Sequence, residues 1–173
     1  MNPNPESMLT ITGNNLENKL VKARKAGLSS FSEIEHRLEL VRVINGVEYV
    51  NDSKATGIDS AGYSLDHMDK SVIWIVGETE EDSEYDLLAE SVENKVRSMI
   101  VFGPCDQKML KPLSKLVPAF ACVETVEEAV MLACEQAAEG EVVLFSPASS
   151  SFSMFEDYKV RGEAFRNAVS NLM

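Results

Sequence analysis

The chain has 173 residues, room for one globular domain with a short appendage at roughly 100–200 residues per domain. Apolar residues make up 45% and charged residues 25%; a chain of this size buries on the order of 70% of its unfolded surface, which excludes disordered, collagen-like and disulfide-scaffold classes. The balance of 16 Lys+Arg against 28 Asp+Glu gives a net charge of −12, and such a surface repels phosphate backbones and anionic headgroups, so no nucleic acid and no membrane is expected as a partner.

Residues 1–8, with Pro3 and Pro5 among Asn and Ser, read as a loose leader without the basic and apolar regions of a signal peptide. No stretch approaches the ~18 apolar residues of a membrane span, so a cytoplasmic protein is expected. In 14–26, Leu16, Leu20 and Ala23 fall at i, i+4 and i+7 and Gly27 follows as a stop, which predicts an amphipathic helix. From 38 to 52 apolar and polar residues alternate about Asn45-Gly46, the pair that suits a type I′ hairpin turn.

Beyond the hairpin, short apolar runs at 72–76, 96–102, 119–123 and 142–145 predict strands covered on both faces. Helical stretches separate them at 85–94, 107–116 and 125–138, and a last helix runs from about residue 161 to 172. Thr125 and Glu128 have capping-box spacing, and Gly140 sits past that helix. Strands alternating with helices imply right-handed crossovers. The expected fold is α/β, a Rossmann-like three-layer sandwich with a mostly parallel sheet and an antiparallel N-terminal hairpin. Residues 1–35 form the leader and amphipathic helix, and 36–173 the domain.

Cys105, Cys122 and Cys134 form no CxxC pair and are odd in number, which favours separate thiols in a reducing compartment over a disulfide framework. With His36 and His67 the only histidines, no metal cluster is expected. Ligands of parallel sheets bind beyond the carboxyl ends of strands, and three segments occupy such ends: Asn51-Asp52-Ser53-Lys54-Ala55-Thr56, the acidic loop from Gly77, and the serine-rich run 146–153. Each has a plainer alternative. Asp52 and Ser53 suit caps for a helix starting near Ile58, the serines suit a solvated loop, and His36-Arg37 suits a polar lead-in. Residues 78–94 carry eight acids and no Lys or Arg, which suits a soluble helix face better than a cation site. Gly57 to Gly62 has Walker A spacing, but Tyr63-Ser64 follows where Lys-Ser/Thr is needed, so the chain has no phosphate-binding loop of that kind.

Taken together, His36-Arg37-Leu38-Glu39, Asn45-Gly46-Val47, Asn51 to Thr56, Phe145-Ser146-Pro147-Ala148 with Ser151-Phe152, and Met154 to Tyr158 with Arg161-Gly162 and Phe165 resemble the C-terminal domain of the D-glutamate-adding Mur ligases. These are UDP-N-acetylmuramoyl-L-alanine:D-glutamate ligases, ATP-dependent enzymes of peptidoglycan synthesis. The resemblance runs from about residue 14 to 173. It implies that Lys54, Thr56, Ser151, Phe152 and Tyr158 line a D-glutamate site, and that Arg37 meets a phosphate and Asp52 the ribose hydroxyls of a nucleotide. It also implies ATP and Mg in the full-length enzyme, none held tightly by this chain, with the central ATPase and UDP-binding domains as missing partners. No catalytic residue and no metal ligand falls in the chain, which is expected to be inactive alone.

Three departures stand out. Gly57 replaces the family's Asn after Ala-Thr, Ala148 to Ser153 replaces an Ala-Cys-Ala-Ser-Asp type segment, and Glu81 falls on or near the place of a lysine that grips the substrate carboxylate. Two readings follow: the amino-acid-binding domain of a divergent or truncated ligase, or a free-standing degenerate domain acting as a binding or regulatory module.

Overall fold

Apolar periodicity sends the hairpin and all four apolar runs into one sheet. The computed structural model describes residues 35–81 and 83–173; the helix expected over 14–26 lies outside the described residues. The strands are β1 (Glu39–Ile44), β2 (Val47–Asn51), β3 (Val72–Val76), β4 (Val96–Phe102), β5 (Ala119–Val123) and β6 (Val142–Phe145). Their order is β1-β2-β6-β3-β4-β5, antiparallel between β1 and β2 and parallel elsewhere. The α/β class and the N-terminal hairpin match expectation. Asn45 and Gly46 take the two positive φ angles, 50° and 77°, that the turn demands.

The helices are α1 (Ile58–Asp66), α2 (Ala89–Lys95), α3 (Lys111–Ser114), α4 (Val126–Gln136) and α5 (Tyr158–Ser170). Two expected helices are shorter than the periodicity suggested. The stretch 85–94 opens as a 3₁₀ turn, Tyr85–Leu88, before α2. In 107–116 only α3 is α-helical, because Pro112 fits the first turn of a helix and not its interior. The last helix instead starts early: Asp157 caps α5 by accepting from the amides of Lys159 and Val160 at 2.7 and 2.9 Å. The box Thr125/Glu128 closes the start of α4 as its spacing predicts.

Strand alternation divides the core between two layers. Trp74, Val76 and Leu144 face Ala61, Leu65, Leu88 and Val92 from α1, the 3₁₀ turn and α2. Ile73, Ile75 and Phe145 face Val130, Phe165 and Val169 from α4 and α5. Phe145 lies parallel to Phe165 at 4.7 Å between centroids and against Phe102 at 5.6 Å, an aromatic column across the second layer.

β6 is the last strand in the chain, yet it lies between β2 and β3, with Phe145 opposite Asn51 on one side and Ile75 on the other. Three parallel strands therefore end side by side, which places the loops at 51–57, 77–81 and 146–153 on one rim. The same parallel register corrects the cysteine reading. Cys122 stands opposite Val101, and the turn at Gly103 folds Cys105 back over it; the two form a disulfide across a Cα separation of 6.4 Å. Spacing along the chain could not reveal this neighbourhood.

At the opposite end of the sheet Arg97 grips Glu141 through Nε and Nη2 at 2.6 and 2.7 Å, while Glu141 also accepts from the amide of Ala138. Hydrogen bonding from Arg97 holds the Glu141 carboxyl below its usual value of 4.5, against the opposing effect of burial. A folded-state value lowered in this way stabilises the fold above about 4.5 and loses that contribution as pH falls through the depressed value. Glu141→Gln is expected to cost about 1–2 kcal/mol at neutral pH, less than a fully buried pair because the Arg97 side chain is 37% exposed. Denaturant melts across pH should show this deficit shrinking below about 4.5.

Candidate functional site

The three rim loops are sewn together before any side chain is considered. The amide of Asp52 donates to Phe145 O at 2.8 Å, that of Ala148 to Ala55 O at 3.0 Å, and that of Gly77 to Pro147 O at 2.8 Å. Gly77 is required by this approach: a Cβ there would stand 3.2 Å from Pro147 O and overlap Ser149 Oγ. The serine loop is consequently not a solvated one, as Ser146, Ser149 and Ser151 are all buried.

One cation completes the seam. Arg161, on the first turn of α5, is 1% exposed. Its guanidinium donates to Ser53 Oγ at 3.1 Å, Ser53 O at 2.8 Å, Ser149 O at 2.9 Å and Ser150 O at 3.1 Å. Burial lowers its pKa to about 10, with Glu78 and Glu80 pulling the other way, so it stays charged at neutral pH. Its role was absent from the expected site. The signal was present, since Arg161 falls one helical turn before Phe165, on the face that α5 buries.

Asp52 is also turned inward. It is 2% exposed and accepts from Ser64 Oγ at 2.6 Å, Ser146 Oγ at 2.8 Å and the Leu38 amide at 3.2 Å. Burial raises its pKa against these donors. Neither Asp52 nor Ser53 caps α1, whose N-cap is Gly57 with no side-chain bond; Ser53 Oγ instead donates to Tyr158 O at 2.7 Å.

His36 is no mere lead-in. It is 2% exposed, with Nδ1 accepting from Asn51 Nδ2 at 2.9 Å, and that amide also donates to Gly162 O. Burial lowers the imidazole pKa, aided by Arg166 and opposed by Glu39, Glu163 and Glu35. His36, Leu38 and Ala148 take positive φ of 62°, 46° and 56°, a conformation costly for side-chain-bearing residues and one that clusters at functional sites.

A cleft of about 380 Å³ opens between the 36–38 lead-in, the 51–56 loop and α1. Arg37, Asp52 and Lys54 line it, joined by Asp59, Ser60 and Tyr63. The structure thus brings both expected nucleotide contacts and one expected amino-acid contact together. Tyr158 adjoins them, with Lys54 Nζ 5.9 Å from its ring centroid. Thr56 and Phe152 are exposed, Phe152 at 79%, and Ser151 is buried beside Arg161 in the serine loop. These three are outside the cleft lining but on the same rim.

The acidic loop lies against the serine loop and Arg161, outside the cleft lining. Burial and the neighbouring Glu80 raise the Glu78 carboxyl pKa, with Arg161 opposing. Glu80 Oε1 accepts from the Ser150 amide at 2.6 Å, and Glu81 is exposed. Among the described residues no three His, Cys, Asp or Glu side chains gather as a metal site, and no helix is long and apolar enough to cross a membrane.

Comparison with known proteins gives the family and the fold. The family described as Mur ligase, glutamate ligase domain, matches residues 36–149. The UDP-N-acetylmuramoylalanine–D-glutamate ligase of Christiangramia forsetii is 37% identical over 158 residues, covering 89% of this chain and 36% of that protein. The enzyme of the same name from Geotalea uraniireducens is 40% identical over 147 residues, covering 85% and 32%. The chain spans about a third of the length of the curated relatives it matches. In fold it is similar to a murein peptide ligase from Psychrobacter arcticus, with a TM-score of 0.56 and 16% identity over 86% of this chain and 32% of the other. It is likewise similar to UDP-N-acetylmuramate-alanine ligase from Thermotoga maritima, with a TM-score of 0.53 and 14% identity over 79% and 30%.

Two substitutions test how the rim is held. Arg161→Lys keeps the charge but cannot serve all four acceptors of the two loops at once, so buried acceptors lose donors; a loss of roughly 2–4 kcal/mol is expected in urea melts. Gly162→Ala would set a methyl 2.8 Å from His36 Cγ and 2.9 Å from Cε1. The ~1 kcal/mol of added helix propensity is outweighed by overpacking of about 1–3 kcal/mol on a ring already fixed by Asn51. A net loss in thermal stability is the expected result, and a gain would show that the ring moves freely.

Proposed function

The chain belongs to the Mur ligase family as its C-terminal, glutamate ligase domain, and from that premise we propose that it is the amino-acid-binding domain of an ATP-dependent, amide-forming ligase of peptidoglycan synthesis, with D-glutamate as the substrate class. What supports this reading is the convergence of three strand-end loops on one rim, with Lys54 set between the Arg37–Asp52 cleft and the Tyr158 ring.

In this reading the ligase activates a carboxylate as an acyl phosphate, and the amine of the bound amino acid attacks it. The domain contributes position. Lys54 offers a charge to a carboxylate, Thr56 and Ser151 offer hydroxyl and backbone donors, and Phe152 and Tyr158 form a wall. Alignment of amine and acyl carbon is worth ~7–11 kcal/mol when the geometry is near attack. Arg37 meets a nucleotide phosphate and Asp52 the ribose, with ATP and Mg held by the central domain and the UDP-sugar by the first domain of a full-length cytoplasmic enzyme. The 173-residue chain alone is inactive in this scheme.

A second reading, a degenerate module, has one observation in its favour: Glu81 falls on or near the place where the family resemblance calls for a lysine, which would reverse the Coulomb sign at that contact.

Titration with D-glutamate, followed by backbone amide shifts, separates the two. The expected result is movement at Lys54, Thr56, Ser151 and Tyr158 with D- but not L-glutamate, weak enough to saturate only above a millimolar. The response should vanish in Lys54→Ala. A silent rim would count for the module.

A further inference from the structure

A carboxylate already stands at the serine loop, and the chain supplies it. The Ser150 amide donates to Glu80 Oε1 at 2.6 Å, a short charge-assisted bond between loops that meet only in the folded chain. Glu80 is anchored for this contact. Its own amide donates to Tyr85 Oη at 3.0 Å, and its carbonyl accepts from the Ser83 amide at 3.1 Å. The neighbouring Thr79 is fixed from two sides, its amide donating to Pro104 O at 3.1 Å and its Oγ1 accepting from the Asp106 amide at 2.9 Å.

Under the same loop lies the Arg161 guanidinium, bonded to Ser149 O and Ser150 O. A backbone N–H set close to a buried cation can take an anion. Here a side chain from the acidic loop supplies it.

We propose that Glu80 is a specificity-determining residue: an internal carboxylate that occupies the anion position of the serine loop and that an incoming ligand carboxylate must displace, so that D-glutamate is held only weakly there. The anion position stands on the geometry of the chain itself, while the statement about ligands rests on the amino-acid reading above. A dicarboxylic amino acid must either displace Glu80 or approach it with like charge. Its side-chain amide counterpart brings one carboxylate fewer and meets Glu80 with a neutral side chain.

The test uses the whole chain, with acetate, D-glutamate and D-glutamine as probes. In Glu80→Ala, acetate should shift the Ser150 amide saturably, whereas the unaltered chain should show no such response. The ratio of D-glutamate to D-glutamine affinity should rise about tenfold in Glu80→Ala, as removal of one nearby like charge predicts. It should also rise in Glu80→Gln, which keeps an acceptor for Ser150 and preserves the loop should the alanine variant fold poorly. An acetate response without amino-acid binding by any variant would sustain the Glu80 assignment and defeat the amino-acid reading. Unchanged ratios in a folded Glu80→Gln, or a Ser150 amide indifferent to acetate in a folded Glu80→Ala, would overturn the assignment.

Discussion

A guanidinium withdrawn from water must have its donors met, and at Arg161 they are met by main-chain oxygens of two different loops and a hydroxyl. That requirement organises the rim. Because the acceptors belong to Ser53, Ser149 and Ser150, the loops after β2 and β6 are held at a fixed separation, and α5 is pinned above both. The nearby acids Glu78 and Glu80 offset the cost of burying the charge through their field, without displacing those carbonyls. Charge balance and loop geometry are therefore one constraint.

The second organising element is the late strand. Placing β6 between β2 and β3 makes neighbours of segments almost a hundred residues apart, as the bond from Ser146 Oγ to Asp52 illustrates. Asp52 is both a wall of the cleft and an internal acceptor for Ser64 and Ser146. Any ligand that competes for its oxygens is felt at once in α1 and in the serine loop.

Strand positions were legible because the apolar runs are short, bounded by turn chemistry and, outside 119–123, rich in β-branched residues, and the runs at 72–76, 96–102, 119–123 and 142–145 coincide with β3 to β6. Asn45-Gly46 and the Thr125 box are equally local and were equally readable. The three rim loops could be placed by the strand-end rule and by family resemblance. What lies between them could not. The inward turn of Asp52, the burial of His36 and the disulfide between Cys105 and Cys122 depend on which strands become neighbours. Positive φ at His36, Leu38 and Ala148 leaves no trace in composition, since none of these is glycine. Pro112 did carry the warning that shortened α3, and helical periodicity alone overrode it.

The lead-in at residues 35–38 has a mechanical meaning. His36 receives the Lys54 amide on its carbonyl at 3.0 Å, and the Leu38 amide holds Asp52. The polypeptide thus enters the domain by way of the rim itself and not by a remote edge of the sheet. A shift of residues 36–38 reaches the Lys54 amide and the Asp52 carboxylate through one hydrogen bond each, so the set of this segment and the shape of the cleft are coupled.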